Sequence, residues 1–345
     1  MAHAATGVSL DPCQNRIQWM WRSNTDPWVS KQTIQWTSYS DVETAIIEQA
    51  RQRKAPEALL DNYHINFQHL VQISNNNCRK QRPVKRVVYG RENAPLRTDR
   101  FMPNPTSPSR SFVGWGDIQN DFLNAVTSHF KIRYQLRNAA ARRLWVEKAA
   151  EGLIVEGKII GKQKEAEWMA EQLLQVKEAT GKEIWEVCAR LYTMESFLYK
   201  KMNEIMRLSG EKKHTHLLQS KVPTFGPFAL LLRGLTQHAN KKITVYRGSE
   251  LTRDIIEQYT YLGGDRFFPA FTSTSRSRIK AAEFGNVLFE IQIAEVVDVS
   301  QCSAYPDEEE VLLPPHFMFN VQSCTFDDIQ GKWIIRLRSC NVRLC

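Results

Sequence analysis

The sequence predicts an α+β protein whose strands and helices occupy separate parts of the chain. Strand-forming residues dominate up to residue 88 and again from residue 242, whereas residues 117–209 carry apolar side chains at helical spacing. Such segregated runs are typical of α+β architecture. Residues 89–114 contain four prolines among Arg, Ser and Asn and cannot bury much apolar surface. We therefore expect a small N-terminal domain at 1–88, a linker at 89–116 and a second domain at 117–345.

The N-terminal domain is predicted to form strands around one helix. Asp41 can cap a helix over residues 41–53. Trp19 and Trp36 lie in two strand-like runs that precede this helix, and we expect both side chains in the core. Two further strands are predicted at 64–73 and 79–88, separated by the turn signal Asn-Asn-Asn at 75–77.

In the second domain the pattern changes from helices to strands. Gly152, Gly157 and Gly161 interrupt the helical pattern, and one more helix is expected after Gly226-Pro227, over residues 228–235. Five later runs are predicted to be strands: 243–246, 287–293, 310–313, 317–321 and 333–337.

Composition limits the partners and the compartment. The net charge of +9 favours anionic partners, but on charge alone a solvated basic surface is the preferred explanation, so specific nucleic-acid binding is not expected. No run approaches the roughly 20 apolar residues of a membrane span, and the first ten residues do not look like a secretory signal. The seven cysteines form no CxxC pair. We expect reduced thiols, no metal site, no membrane association and a cytoplasmic or nuclear location.

Two short motifs in the C-terminal half place polar side chains at strand ends. Arg247 ends a predicted buried strand and can hold an anion, while Gly248 lets the backbone approach a ligand closely. Residues 271–275, Phe-Thr-Ser-Thr-Ser, place hydroxyls on a strand that leads into a helix over 278–284. Either motif by itself is more often structural than functional.

The third motif is an acidic cluster that leads into an apolar strand. Such a cluster is usually a solvated loop. Here strand alternation would put Glu308 and Glu310 on one side and Glu309 on the other. Two carboxylates on one side of a strand mouth suit chemistry that stabilises a cation and accepts a proton.

In the order Arg, Ser-Thr-Ser, Glu-x-Glu, the three motifs resemble the R-S-E signature of arginine-specific mono-ADP-ribosyltransferases. The run Leu-Tyr-Thr-Met-Glu-Ser-Phe-Leu-Tyr at 191–199, Asn203, and Thr-Phe-Gly-Pro at 224–227 also resemble the helical part of vertebrate-type members. The resemblance covers residues 144–337. It implies a β-sandwich with an N-terminal helical subdomain, NAD as substrate without a metal, and transfer of ADP-ribose to arginine side chains of proteins with release of nicotinamide.

The resemblance also implies roles for individual residues. Arg247 would bind the NAD phosphates, the Gly248 backbone would hold the nicotinamide amide, and Ser273 would support the nicotinamide ribose and position the catalytic acid. Glu310 would grip the ribose hydroxyl and stabilise the oxocarbenium ion. Glu308 would orient and deprotonate the acceptor guanidinium, whose pKa is about 12 or higher.

Three aromatic side chains complete the implied site. Tyr305 would lie in the substrate-recognition loop, and Phe271 or Phe284 would stack on nicotinamide.

Two other functions stay open at this point. An NAD glycohydrolase would need Glu310 but would depend less on Glu308. A non-enzymatic ADP-ribose-binding scaffold would need no catalytic residue, and the intact Arg247, Ser273 and Glu310 argue against it.

The N-terminal region resembles a WWE domain, a small mixed half-barrel with one helix. The likeness rests on Trp19, Trp36 and Glu48, on residues 63–67 and on residues 81–86. It implies poly-ADP-ribose or ADP-ribosylated proteins as partners, with Tyr63 stacked on adenine, Gln72 hydrogen-bonded to it and Arg82 at a phosphate. The alternative is a protein-interaction scaffold.

Overall fold

The computed structural model describes residues 16–29, 33–90, 97, 100, 105, 122–131, 136, 138–209, 211–235, 239–260 and 264–340. The chain divides into two units, Met1–Pro95 and Leu96–Cys345. Most of the predicted linker, 89–116, lies outside the described residues.

Within the described residues of the Met1–Pro95 unit, a six-stranded antiparallel sheet packs on one helix, with the strand order β2-β1-β6-β5-β4-β3. Its elements are β1 (Arg16–Arg22), β2 (Trp36–Ser38), α1 (Asp41–Gln52), β3 (Glu57–Leu59), β4 (Tyr63–Asn66), β5 (Val71–Ser74) and β6 (Asn77–Tyr89). The sheet and α1 together bury a core that contains Trp19, Tyr39, Ile47, Ala58, Leu60, Ile65 and Val84.

Three predictions for this unit were wrong in detail. The helix cap is Ser40 rather than Asp41, because Ser40 and Glu43 form a reciprocal capping box. The strand predicted at 64–73 is a hairpin of β4 and β5, whose turn places Leu70 at a φ of 51°. Trp19 is buried as predicted, but Trp36 is half-buried with the Lys85 ammonium 4.3 Å from its ring centroid.

The Glu48 carboxylate on α1 has structural partners in the sheet. The Trp19 indole donates to Glu48 at 3.0 Å, and Arg86 donates to both carboxylate oxygens at 2.9 and 3.1 Å. Burial disfavours the Glu48 carboxylate, but these hydrogen bonds and the Arg86 charge outweigh it and lower the pKa of Glu48. The motif residues Trp19, Glu48 and Arg86 therefore join the helix to the sheet.

The Leu96–Cys345 unit begins with helices and ends with a sheet. The helices that the structure describes from residue 122 to residue 235 are α2 (Phe122–Phe130), α3 (Ala139–Ile159), α4 (Gln163–Gln175), α5 (Gly181–Thr193), α6 (Phe197–Arg207) and α7 (Thr215–Gly234). The rest comprises β7 (Ala239–Ser249), α8 (Arg253–Thr260), β8 (Arg266–Phe268), β9 (Thr272–Ser275), α9 (Arg278–Ala282), β10 (Val287–Val296), β11 (Glu310–Leu313), β12 (Phe317–Asp327) and β13 (Lys332–Ser339).

The seven C-terminal strands hydrogen-bond in the order β11-β9-β7-β10-β13-β12-β8. The sheet curls, because Val311 and Leu313 near one edge share a core with Phe268 and Phe319 near the other. The α+β class predicted from the sequence is confirmed, with the five predicted strands contained in β7, β10, β11, β12 and β13.

Two helix boundaries differ from the prediction because of packing between helices. Helix α3 continues through Gly152 and Gly157. A Cβ at Gly152 would lie 2.1 Å from the Thr224 carbonyl oxygen of α7, so this glycine permits close helix packing. Helix α7 begins at Thr215 and continues through Pro223 and Pro227, since buried apolar side chains on both sides hold it in place.

In the part of the chain that the structure describes, no helix combines the length and the apolar character needed to cross a membrane.

Candidate active site

Three adjacent strands bring the three sequence motifs together. Arg247 lies on β7, Ser273 on β9 and Glu310 at the start of β11. The register places Glu310 opposite Ser275 and Leu312 opposite Ser273. Arg247, Ser273 and Glu310 are buried.

The Arg247 guanidinium lies in a positively charged region. Its Nη1 donates to the Ser273 carbonyl at 2.8 Å. Burial, together with repulsion by Arg207 and Arg100, lowers the pKa of Arg247 to about 9. A buried guanidinium with two further arginines nearby suits an anionic ligand such as a phosphate group.

The acidic motif is not a continuous strand. Glu308 ends a 3₁₀ helix, Pro306–Glu308, and Glu309 takes the left-handed conformation with a φ of 49° before β11 begins at Glu310. Glu308 and Glu310 are buried and Glu309 is exposed. The predicted separation of the side chains is therefore present, but a left-handed turn produces it rather than strand alternation.

Hydroxyl groups of β9 hold the strand that carries the glutamates. Ser275 Oγ donates to the Glu308 carbonyl at 2.7 Å, and Thr274 Oγ1 donates to the Val311 carbonyl at 2.7 Å. Ser275, rather than Ser273, is the serine whose hydroxyl is hydrogen-bonded next to the glutamates. The sequence motif contained Ser275, but nothing in its spacing distinguished the two serines.

The role of Gly248 in packing was not anticipated. A Cβ there would lie 2.2 Å from the Ala281 carbonyl oxygen and 2.6 Å from that of Phe284. The glycine therefore lets α9 and the residues that follow it approach β7. A role of its backbone toward a ligand stays a prediction.

Substituting Gly248 with alanine is expected to destabilise this unit by about 2–3 kcal/mol, because backbone carbonyls cannot move aside as a flexible side chain can. Thermal unfolding measures the change. Gly181→Ala is a matched control, since its nearest neighbour is the Leu235 side chain at 3.3 Å. A Gly248→Ala protein that unfolds at the wild-type temperature would contradict this account of the packing.

The aromatic side chains assigned to the site are buried. Tyr305 is buried, and the Phe271 ring lies 5.4 Å from that of Tyr192. Asn203 Nδ2 donates to the Tyr192 hydroxyl at 2.7 Å. Phe284 is buried after α9, beside Gly248. The sequence motif at 191–199 therefore contributes to the site, although the sequence assigned no role to Tyr192.

Two arginines that the sequence placed in the linker contact the glutamates. Arg97 Nε donates to Glu308 Oε1 at 3.0 Å, and its Nη2 bonds the other carboxylate oxygen. Arg100 donates to Glu310 Oε1 through Nη2 at 2.7 Å and through Nε at 3.0 Å. Both arginines are buried. Their signal in the sequence is only two basic residues three apart in a proline-rich run, which is why sequence reasoning missed them.

A second candidate site lies on the sheet of the N-terminal unit. Tyr63, Gln72 and Arg82 come from the adjacent strands β4, β5 and β6, with Gln72 directly opposite Arg82. Gln72 is buried and its Oε1 accepts from the Tyr39 hydroxyl at 2.5 Å, whereas Tyr63 is 39% exposed. Arg82 Nη1 donates to the carbonyl of Arg22, at the end of β1, at 3.0 Å and to that of Asn24, in the loop that follows, at 2.6 Å.

An arginine, a hydroxyl-bearing strand and two glutamates at one edge of a curled sheet define an ADP-ribosyltransferase type of domain, and sequence comparison agrees. The family model described as "NAD:arginine ADP-ribosyltransferase" matches residues 162–343, more than half of the chain. The chain belongs to this family. A WWE domain model matches residues 17–86.

Curated relatives carry corresponding names. The erythroblast NAD(P)(+)--arginine ADP-ribosyltransferase of Gallus gallus is 31% identical over 153 residues, which are 43% of this chain and 48% of the relative. A putative NAD(+)--arginine ADP-ribosyltransferase of Mycobacterium avium is 40% identical over 109 residues, 29% of this chain and 13% of the relative. The chain thus spans about half the length of the first relative and less of the second.

The solved structures to which the chain is similar have lower sequence identity. Exoenzyme S of Pseudomonas aeruginosa, determined with carba-NAD bound, is 18% identical with a TM-score of 0.40, covering 56% of this chain and 88% of that one. The type III effector XopAI of Xanthomonas axonopodis is 15% identical with a TM-score of 0.44, covering 66% of this chain and 100% of that one.

Proposed function

We propose that the Leu96–Cys345 unit transfers ADP-ribose from NAD to arginine side chains of proteins. The observation that carries the proposal is the pair of buried glutamates, Glu308 and Glu310, beside the buried cation Arg247 in a member of the arginine ADP-ribosyltransferase family. Arg247 would hold the NAD phosphates, and Ser273 would support the nicotinamide ribose.

The reaction needs one bond to break and one to form. The bond between the nicotinamide nitrogen and ribose C1′ breaks, and nicotinamide leaves with the electron pair. The Glu310 carboxylate stabilises the positive charge that develops on the ribose. A guanidinium nitrogen of the acceptor then bonds to C1′, and Glu308 accepts the proton that this nitrogen loses.

The surroundings of Glu308 support arginine as the acceptor. The carboxylate already binds a guanidinium, that of Arg97, in a two-pronged ion pair. The same guanidinium stacks on Tyr305, with its central carbon 3.4 Å from the ring centroid. A planar cation of this kind fits the site, whereas water would use neither the ring nor the second carboxylate oxygen.

The test is incubation of the full chain with labelled NAD and agmatine, an arginine analogue, followed by mass spectrometry of protein acceptors. We expect label on agmatine and on arginine side chains, with nicotinamide released in equal amount. Nicotinamide release without label transfer would instead identify an NAD glycohydrolase. Binding of ADP-ribose without nicotinamide release would identify a non-enzymatic scaffold.

We further propose that the Met1–Pro95 unit binds ADP-ribose as it occurs in poly-ADP-ribose. Three side chains on adjacent strands support this: an exposed tyrosine ring, a buried amide and a cation. Tyr63 would stack on adenine, Gln72 would hydrogen-bond it, and Arg82 would meet a phosphate.

Substituting Arg82 with alanine is expected to weaken binding of iso-ADP-ribose to the full chain about tenfold, equivalent to ~1.4 kcal/mol. Calorimetric titration measures the dissociation constant. Arg79→Ala on the same strand is the matched control, because the Arg79 residue is exposed. Equal affinities of the two variants would remove Arg82 from the site, and no binding by wild type would favour the protein-interaction scaffold.

A further inference from the structure

The chain supplies its own guanidinium groups to both proposed catalytic glutamates. Arg97 pairs with Glu308 and Arg100 pairs with Glu310, across 211 and 210 residues of sequence. All four side chains are at least nine-tenths buried. Each carboxylate therefore has its charge neutralised and its hydrogen-bonding capacity largely used within the protein.

The contacts of Arg97 are those that an acceptor arginine would make. Its guanidinium binds both oxygens of Glu308, stacks on the Tyr305 ring and donates to the Thr193 carbonyl. Burial disfavours the charged form, but the Glu308 charge and hydrogen bond outweigh it and raise the pKa of Arg97 above its ordinary value. Arg97 therefore binds Glu308 as a permanent cation.

Arg100 occupies the neighbouring position, where the ribose of NAD would bind. Its guanidinium bonds both oxygens of Glu310 and donates to the Tyr192 carbonyl at 3.0 Å. It lies 4.8 and 5.2 Å from the ring centroids of Tyr192 and Tyr199. The Arg100 carbonyl also accepts from Arg247 Nη1 at 3.3 Å, so it contacts the side chain that we assign to the NAD phosphates.

If Arg97 and Arg100 had a purely structural role, they would not need to pair with the two proposed catalytic glutamates. Buried carboxylates do require counter-charges, and an ion pair anywhere in a core can provide them. Here the two pairs and the Arg247 contact involve the three charged side chains that the proposed reaction uses. In its present position Arg100 uses hydrogen-bonding groups of Glu310 and Arg247 that the proposed reaction assigns to NAD.

We propose that Arg97 and Arg100 form an internal pseudosubstrate that competes with NAD and with the acceptor arginine for the active site. The proposal rests on the proposed transferase function for the identity of the two ligands. In the described state Arg97 fills the acceptor position and Arg100 fills the ribose position. Catalysis then requires both arginines to leave, and whatever draws them away activates the enzyme.

Competition by the two arginines would weaken the apparent affinity for NAD. When only a fraction of molecules is competent to bind, the apparent dissociation constant equals the intrinsic constant divided by that fraction. If about one molecule in ten has the arginines withdrawn, removing them strengthens NAD binding about tenfold.

The test is the double variant R97Q/R100Q in the full chain, with two readouts. Calorimetry with carba-NAD, which is not turned over, measures binding, and nicotinamide release measures KM and kcat. We expect the dissociation constant and KM to fall about tenfold, with kcat unchanged or raised. R143Q/R253Q is the matched control, since both of these arginines form exposed ion pairs with glutamates one helical turn away, and its constants are expected to equal those of wild type.

The double glutamine variant leaves two buried carboxylates without their partners, so folding is checked by thermal unfolding. If it does not unfold cooperatively, R97K/R100K replaces it. Lysine keeps the charge but cannot make the two-pronged contact, and a fall in the dissociation constant of at least threefold is expected.

An unchanged or increased dissociation constant in a folded variant would overturn the proposal. Tight carba-NAD binding by the variant without arginine modification would support competition of Arg100 with NAD, but would reject arginine transfer and with it the role of Arg97 at the acceptor position. Failure of wild type and both variants to bind carba-NAD would reject the proposed function and this inference together.

Discussion

Substituting Glu310 with glutamine is expected to lower kcat for nicotinamide release by about 10²- to 10³-fold. Glutamine keeps the size and one hydrogen-bonding oxygen of the side chain but removes the negative charge. Glu310 is fully buried at the start of β11, so the charge acts on the developing oxocarbenium ion with little screening by water. Steady-state rates of nicotinamide release at saturating NAD measure the effect.

The same substitution also breaks a buried ion pair. Removing one partner leaves the Arg100 guanidinium uncompensated, which is expected to lower the stability of the folded protein. The double variant E310Q/R100Q separates the two effects, because it removes both charges. We expect it to recover most of the lost stability while kcat stays low.

Glu309→Gln is the control, because it removes the same charge from the neighbouring residue. Glu309 is exposed, and its ion pair with Lys280 at 3.4 Å lies at the surface. It is expected to keep the wild-type kcat. A Glu310→Gln enzyme that releases nicotinamide within a factor of three of wild type would reject Glu310 as the stabilising carboxylate.

Substituting Glu308 with glutamine is expected to separate transfer from hydrolysis. Without the carboxylate, the acceptor guanidinium loses both its ion pair and its base, and transfer to agmatine should fall about 10²- to 10⁴-fold. Hydrolysis of NAD uses water and Glu310, so it should remain within a few-fold of wild type. The ratio of labelled agmatine to released nicotinamide measures the split directly.

Glu309→Gln is again the matched control, and its ratio should equal that of wild type. A parallel fall of transfer and hydrolysis in Glu308→Gln would show that Glu308 serves the breakage of NAD as well, and would remove the basis for assigning it to the acceptor. The comparison is made at equal fractions of folded protein, since Glu308 is paired with Arg97 in the buried site.

Local patterns in the sequence predicted most of the secondary structure. Short apolar runs mark the strands of the C-terminal sheet. The arginine, serine and glutamate motifs are predicted at strand ends, and in the structure they lie near the ends of β7, β9 and β11. These features depend on neighbouring residues only, so spacing reveals them.

Predictions failed where a distant contact decides the local structure. The low helix propensity of glycine predicts an interruption at Gly152. In the structure the helix continues there, and the glycine makes room for the Thr224 backbone of α7. Pro227 is read as the start of a helix, but burial of its neighbours keeps α7 continuous. Strand alternation was the wrong reason for the outward Glu309, which depends on a left-handed turn.

The sequence by itself determined the order of the elements, the two domain types and the residues at the ends of β7, β9 and β11. Only the tertiary structure decided that Arg97 and Arg100 are the partners of Glu308 and Glu310. The physical reason is that an ion pair depends on distance in space, and no periodicity links residues more than 200 positions apart. A basic pair in a proline-rich run has the same appearance whether it is solvated or bound in an active site.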